Sequence, residues 1–201
     1  MITLYAIISA VLLFFIFYKF IFLRDPKVEI PSGRNIVSPA DGKIVNIMEI
    51  KSSEIKIKKG FIGKIHALSS DIGDRCYLIS IFMSLFNVHI NRAPIEGEVL
   101  SVKHTKGSFF MAFDIEKSLC NEKNEIIMKT KIGKIKIIQI AGFLVRRIEC
   151  FVKENQKVNK GNKIGRIVFG SQVSLIIPAA SKLKVKQGDR VKVGETILVE
   201  Y

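Results

Sequence analysis

The chain has 201 residues, a formal net charge of +14, 48% hydrophobic residues and 25% charged residues. This balance excludes a disordered chain and a protein that crosses a membrane many times, and the length allows one sizeable domain with an appendage. The basic residues are spread along the whole sequence without a nucleic-acid-binding motif, so we expect no nucleic-acid partner. The positive charge suits binding to an anionic membrane surface, or it reflects a general richness in lysine.

The first predicted element is an apolar helix. Ile2–Leu23 contains a single charged side chain, Lys19, and its length of about 33 Å at 1.5 Å per residue is close to one hydrocarbon core. Residues 1–24 are predicted to be an anchor in the cell membrane. Basic residues follow the apolar segment, so the positive-inside rule predicts that the rest of the protein faces the cytoplasm. The segment either spans the membrane or inserts part-way. Residues 25–35, which include two prolines, are predicted to form a linker.

Residues 36–201 are predicted to form one mostly β domain. Short β-prone runs are separated by Gly, Asn and Lys turns, and several runs alternate so that one face is apolar. The clearest runs are Gly42–Ile47, Glu54–Lys58, Tyr77–Phe82, Gly133–Ile140 and Leu144–Phe151. Ala112–Asn121 favours a short helix.

A short repeat near the C-terminus indicates the type of β fold. Val158, Gly161 and Ile164 recur 33 positions later as Val191, Gly194 and Ile197. Such units are typical of barrel-sandwich hybrid folds, in which each glycine is expected to take a positive φ in a tight turn. The modified-lysine motif of biotinyl and lipoyl carriers is not apparent. The repeat therefore predicts a barrel-sandwich-hybrid-like β domain with a few short helices, following the membrane helix.

The cysteines favour a reducing environment. Cys76, Cys120 and Cys150 are an odd number and form no C-x-x-C pair. This pattern argues against a disulfide framework and against a zinc ribbon, and it favours free thiols in a domain that faces the cytosol.

Three segments carry residues that could do chemistry, and each also has an ordinary structural explanation. Ser38–Lys43 (SPADGK) contains a good turn, and His89 in Asn87–Pro94 (NVHINRAP) is as suited to a structural role as to that of a base. Gly170-Ser171 in RIVFGSQV reads on its own as a common turn, and no G-x-S-x-G elbow surrounds it.

Together, five segments resemble the short-form phosphatidylserine decarboxylase proenzymes, which depend on a pyruvoyl group. The segments are SPADGKIV, FMSLFNVHINRAPIEGEV, KGSFFMAF, IQIAGFLVRRIEC and KGNKIGRIVFGS, and the resemblance runs from about Ile36 to the C-terminus. It implies a lyase that converts phosphatidylserine to phosphatidylethanolamine and carbon dioxide. Its implied partners are the phospholipid substrate and an anionic membrane surface.

The resemblance also implies self-cleavage of the Gly170-Ser171 bond. Residues 1–170 would form a larger chain that stays associated with residues 171–201, and Ser171 would become the covalent pyruvoyl cofactor, which forms a Schiff base with the substrate amine. His89 is the candidate base, and Asp41 is expected to hold its tautomer. The resemblance implies no metal, and the substrate-binding residues are not identified from the sequence.

The sequence departs from the family pattern at three positions. Longer members carry two histidines three residues apart, whereas Arg92 lies three residues after His89, so His89 is expected to serve both cleavage and decarboxylation. Short-form relatives read Phe-Gly-Ser-Arg-Val-Asp where this chain has Gln172 and Ser174. Each of these two changes removes a charge next to Ser171 in the sequence.

Two other functions fit parts of the sequence. A non-catalytic, membrane-anchored barrel-sandwich adaptor would explain the anchor and the repeat, but such adaptors carry a coiled-coil hairpin and no sustained heptad pattern occurs here. An inactive, uncut relative of the decarboxylases would share the fold. The presence of Asp41, His89 and Ser171 argues against it.

Overall fold

The computed structural model describes residues 2–51, 71–107, 121–142, 147–168, 171–179 and 182–201. The predicted strand Glu54–Lys58, the predicted helix up to residue 120, the first part of the predicted strand Leu144–Phe151, and Gly170 lie outside the described residues.

The N-terminal segment is helical, as predicted. Helix α1 (Ile2–Ile16) continues into a π-helical segment, Phe17–Phe22. Thr3–Phe22 is the one stretch of the described residues that is long and apolar enough to cross a membrane. Helix α1 is hydrophobic on all sides and exposed along its length, a pattern that suits contact with lipid, whereas Phe22 at the end of the π-helical segment is fully buried.

All strand pairings in the rest of the described chain are antiparallel and no further helix occurs there, which confirms the predicted mostly β class. The strands are β1 (Asn35–Val37), β2 (Gly42–Lys51), β3 (Arg75–Met83), β4 (Ile90–Arg92), β5 (Gly97–Thr105), β6 (Lys123–Thr130), β7 (Gly133–Ile140), β8 (Ile148–Cys150), β9 (Lys157–Val158), β10 (Lys163–Ile167), β11 (Ser171–Pro178), β12 (Lys182–Leu183), β13 (Arg190–Val191) and β14 (Ile197–Glu200). Strand β7 matches its predicted bounds, β2 and β3 extend beyond theirs, and β8 ends one residue before its predicted end.

The strands form three sheets. The largest has the order β13-β2-β3-β11-β7-β6-β5-β9, and two smaller sheets have the orders β4-β10-β8 and β1-β14-β12. Strand β11 lies inside the large sheet and pairs with β3 on one side and β7 on the other. Its alternate residues face opposite sides of the sheet: Val173, Leu175 and Ile177 belong to the main core, whereas Ile176 packs in a second cluster.

The two glycines of the repeat occupy equivalent turns. Gly161 has a φ of +86° and Gly194 a φ of +75°, which confirms the positive φ predicted for both. The main-chain N–H of Gly161 donates to the Ala93 carbonyl and that of Gly194 to the Ser38 carbonyl, each at 2.8 Å. The side chain of Ile30, from the predicted linker, packs against both glycines.

Two main-chain hydrogen bonds join two of the segments that carry the candidate site residues. The N–H of Val37 donates to the Pro94 carbonyl at 2.9 Å, and the N–H of Arg92 donates to the Pro39 carbonyl at 3.0 Å. These two bonds hold the SPADG segment across the segment that follows His89. The fold therefore brings two of the three predicted site segments together.

Candidate active site

His89 is a fully buried histidine at the entrance of β4. Its ring lies against the ring of Phe22, with the centroids 4.0 Å apart. Burial lowers the pKa of His89 to about 4; the charge of Arg24 adds to this effect, whereas the main chain of Asn87 and the charge of Asp41 oppose it. Apart from a contact with the main chain of Asn87, which does not have ordinary hydrogen-bond geometry, neither ring nitrogen has a hydrogen-bond partner in the part of the chain that the structure describes. At neutral pH, His89 is therefore uncharged and able to accept a proton.

Asp41 supports the loop before His89. Its Oδ2 atom accepts hydrogen bonds from the main-chain N–H of Val88 at 2.9 Å and from the Asn87 side-chain amide at 3.1 Å. Asn87 in turn accepts hydrogen bonds from the main-chain N–H and the hydroxyl of Ser84. The expected hydrogen bond from the His89 ring to Asp41 is not among those of the described residues. The structure thus places Asp41 against the loop that precedes His89, and a direct contact with the ring stays a prediction.

Ser171 is fully buried at the first position of β11. Its register partner on β3 is Met83, and its Oγ atom donates a weak hydrogen bond to Met83 Sδ at 3.6 Å. The side-chain amide of Asn91 reaches the same sulfur, at 3.7 Å. Because Asn91 lies two residues after His89, this shared contact links the serine to β4, the strand that begins immediately after the histidine.

Asn91 is part of a buried amide network that the sequence analysis did not identify. Gln139 Nε2 donates to Asn91 Oδ1 at 2.8 Å, and Asn124 Nδ2 donates to Gln139 Oε1 at 2.9 Å. At most 1% of each of these three residues is exposed. The network lies on the core-facing side of the large sheet, the same side as Ser171.

The two polar departures from the family pattern lie on the other side of this sheet. The Gln172 amide donates to Ser174 Oγ, and Ser174 Oγ contacts Ser80 Oγ, each at 3.0 Å. Residues that alternate along a strand point to opposite faces, so these side chains point away from the face that carries Ser171. Gln172 and Ser174 are therefore close to Ser171 along the chain, but their side chains do not point towards its hydroxyl.

The side chain of Arg92 forms hydrogen bonds with residues outside the Ser171 site. Its guanidinium donates to the carbonyl of Gly161 at 2.9 Å and to the carboxylate of Asp25 at 2.7 Å. Lys163 also pairs with Asp25. Arg92 thus connects the start of the predicted linker to one of the repeat turns.

A cavity of about 350 Å³ lies between the N-terminal helix and the β domain. It is lined by Phe14, Phe15 and Tyr18 from the helical segments, and by Arg147, Glu149, Arg166 and Val168 from the domain. Glu149 pairs with both arginines, with Arg166 at 2.5 Å and with Arg147 at 3.2 Å. One wall of the cavity is thus aromatic, and the other carries two guanidinium groups. Val168, which also lines the cavity, lies two residues before Gly170 in the sequence.

The described residues contain no group of three His, Cys, Asp or Glu side chains that could hold a metal ion. Cys76 and Cys150 are free thiols.

The fold, the site and the relatives of this chain define a decarboxylase. A model of the family described as phosphatidylserine decarboxylase matches residues 14–199, and the chain belongs to this family. A protein of Methanocaldococcus jannaschii, provisionally named an archaetidylserine decarboxylase proenzyme, is 40% identical over 96% of this chain and 93% of its own length. Phosphatidylserine decarboxylase proenzymes of Chlorobium phaeobacteroides and Chlorobaculum parvum are 40% and 39% identical, each over 96% of this chain and 82% and 83% of their own lengths.

Proposed function

We propose that the protein converts phosphatidylserine to phosphatidylethanolamine and carbon dioxide, using a pyruvoyl group that it makes from Ser171. Beside the family membership, one observation carries the proposal. The buried Ser171 contacts Met83 Sδ through its Oγ atom, and so does the side-chain amide of Asn91, which lies in β4 two residues after the uncharged His89.

In the proposed self-cleavage, Ser171 Oγ attacks the carbonyl carbon of Gly170. The amide C–N bond breaks, an ester C–O bond forms, and the hydroxyl proton passes by way of His89 to the nitrogen of residue 171. Loss of the Cα proton of residue 171 then breaks its Cβ–Oγ bond and leaves Gly170 with a free carboxylate. Water hydrolyses the resulting dehydroalanine to a pyruvoyl group and ammonia.

The residues around position 171 fit such a group. The site is buried, which excludes bulk water, and no side chain among the described residues forms a hydrogen bond with the His89 ring. When formed, the pyruvoyl group supplies a carbonyl that binds the substrate amine and accepts the electron pair released as carbon dioxide departs. His89 is uncharged at neutral pH, and in the proposal it carries the proton that replaces the lost carboxyl group.

The cavity beside the N-terminal helix supports a lipid substrate. Phe14, Phe15 and Tyr18 offer an aromatic wall for acyl chains, and Arg147 and Arg166 offer guanidinium groups for a phosphate. The proposed location is the cell membrane, with the N-terminal helix as the anchor and the domain on the cytoplasmic side. The net charge of +14 favours an anionic surface, since each basic residue close to it contributes about 1 kcal/mol.

The sheet supports association of the two proposed chains. Residues 171–201 would supply β11, which pairs along its length with β3 and β7 of the larger chain. Strand β14 would pair with β1 of the larger chain. Separation of the chains would expose β11, whose first seven residues are buried.

Intact-protein mass spectrometry tests the proposal. The purified wild-type chain should appear as two fragments that correspond to residues 1–170 and 171–201, and Ser171→Ala should appear as one species of 22.6 kDa. The smaller wild-type fragment should carry a blocked, pyruvoyl N-terminus. An active preparation that contains only the uncut chain would contradict the proposal.

Release of carbon dioxide from vesicles identifies the substrate. Phosphatidylserine and archaetidylserine share the phosphoserine headgroup and differ in the lipid backbone, so each is supplied in a separate vesicle series. We expect turnover of phosphatidylserine by the wild-type protein and none by Ser171→Ala. Turnover of archaetidylserine alone would retain the reaction but correct the substrate.

A further inference from the structure

A continuous set of buried side chains leads from β6 to the nucleophile. Asn124 donates to Gln139, Gln139 donates to Asn91, and the Asn91 amide reaches Met83 Sδ, the atom that also accepts the hydrogen bond of Ser171 Oγ. We propose that Met83 and Asn91 are positioning residues for self-cleavage, and that they fix the direction of Ser171 Oγ before it attacks the Gly170 carbonyl. The inference rests on the proposed function.

A thioether suits this task because it is a weak acceptor. It orients the serine O–H without being able to take its proton, so the proton stays available to a stronger base such as His89. The main chain sets the separation, since Met83 and Ser171 are register partners in neighbouring strands. The methionine side chain is flexible, however, and a second contact is needed to hold the sulfur in one place.

The amides provide that second contact, and their orientation is fixed. Asn91 uses its oxygen to accept from Gln139, so its NH₂ group faces Met83. Gln139 uses its oxygen to accept from Asn124, so its NH₂ group faces Asn91. The neighbouring strand leaves room for Gln139: a Cβ atom at Gly165 would lie 2.5 Å from Gln139 Nε2.

Two substitutions test the inference. Met83→Leu keeps the volume of the side chain and removes the acceptor, and folded proteins usually tolerate hydrophobic substitutions that conserve volume. Asn91→Leu removes the contact that holds the sulfur. Because a misplacement of about 1 Å can slow a reaction by about 100-fold, we expect each variant to self-cleave at least about tenfold more slowly than the wild type. The rate is followed by mass spectrometry after pulsed cell-free synthesis.

Hydroxylamine separates a defect in formation of the ester from a defect in the later elimination. It cuts the ester formed by Ser171 but not the amide that precedes it. If the variants are slow because the hydroxyl is misplaced, they accumulate the amide, and hydroxylamine does not speed the splitting of the chain. Accumulation of an ester that hydroxylamine cuts would place the defect in the later elimination and overturn the inference.

Ser80→Ala is the matched control. It removes a buried contact with Ser174, 3.0 Å long, on the opposite face of the same sheet. We expect it to self-cleave at the wild-type rate. If Asn91→Leu fails to fold by circular dichroism, Met83→Leu decides the question. Wild-type rates in the folded variants overturn the positioning role and leave the proposed function intact, whereas a wild-type chain that never splits overturns both.

Discussion

The ring of Phe22 lies on the ring of His89, with the centroids 4.0 Å apart and the planes tilted by 35°. Phe22 ends the π-helical continuation of the apolar N-terminal helix, and His89 is the proposed base. The segment expected to hold the protein at the membrane therefore also covers the histidine. Its packing helps to exclude the water that would otherwise stabilise the charged form of the ring.

The low pKa of His89 makes the stability of the protein depend on pH. In the unfolded chain the pKa of histidine is about 6.5, whereas in the fold it is about 4. The unfolded state therefore binds the proton more tightly, so His89 should favour unfolding progressively as the pH falls from about 7 towards 4, by up to about 3 kcal/mol. Urea unfolding of the uncut Ser171→Ala chain across this range measures the loss. The loss should be smaller when His89→Gln is added, and an unchanged slope would contradict the assignment.

Replacement of Phe22 should change the titration of His89. Phe22→Ala opens the ring to water, so the pKa should rise from about 4 towards its ordinary value. The His89 proton signals in an NMR titration measure the change, and the pH at which self-cleavage is half-maximal should rise with it. Phe20→Ala is the control, because 66% of Phe20 is exposed on the same segment. An equal shift in both variants would show that the covering ring is not the cause.

Asp41 should act through the loop that precedes His89. Asp41→Ala leaves the Val88 N–H and the Asn87 amide without their acceptor, which should cost about 1–3 kcal/mol of stability and slow self-cleavage. Asn87→Ala removes one of these donors. If the two residues act as a unit, the double substitution destabilises the Ser171→Ala chain by clearly less than the sum of the single effects. Additive losses would indicate that Asp41 acts elsewhere, for instance directly on the His89 ring.

Substitutions at two glycines with a positive φ can separate the cost of backbone strain from the cost of steric overlap with a neighbouring side chain. Gly188 has a φ of +98°, and a Cβ atom added there would have no atom within 4 Å, whereas at Gly161, with a φ of +86°, a Cβ atom would overlap Ile30. Gly188→Ala should cost only the left-handed backbone term, about 1–2 kcal/mol. Gly161→Ala should cost more, and adding Ile30→Ala to it should recover part of the excess. Thermal unfolding of the single and double variants measures this, and equal costs at the two glycines would contradict the role of Ile30.

The arginines of the cavity should affect lipid binding more than chemistry. Arg147 is 71% exposed at the cavity. Arg147→Glu should raise the KM for phosphatidylserine vesicles about tenfold, with kcat changed by less than about twofold, because a basic group near an anionic surface contributes about 1 kcal/mol. Lys157→Glu makes the same charge change at an exposed position outside the cavity lining. Equal effects of the two substitutions would show a general effect of charge and would contradict a lipid-binding site in this cavity.

The sequence was sufficient for those features that depend on local pattern. Alternating apolar residues located β7, and the spacing of the repeat predicted a positive φ at Gly161 and Gly194. Gln172 and Ser174 lie close to Ser171 along the chain, which alone suggests that they are close to its hydroxyl. The two-residue period of a strand places them on the other face, but this applies only because Ser171–Pro178 forms β11.

The amide network could not be found in this way. Asn91, Gln139 and Asn124 belong to three different strands, and each looks like an ordinary polar residue in its own segment. Only strand order and register bring them into line with Met83. The hydrogen-bond partners of Asp41 could not be predicted either, because Val88 is 47 residues away in the sequence and the turn in SPADG gives no indication of this contact.

The position of β11 bears on how the mature protein could be handled. If the chain is cut before Ser171, a strand from the middle of the large sheet belongs to a short peptide that folded while still attached. The finished enzyme would then depend on the history of its folding: heat or denaturant would release the peptide, and removal of the stress would not restore the covalent link that guided it into place. Its durability would be a matter of unfolding rate rather than of equilibrium, and the uncut Ser171→Ala chain would refold where the active protein would not.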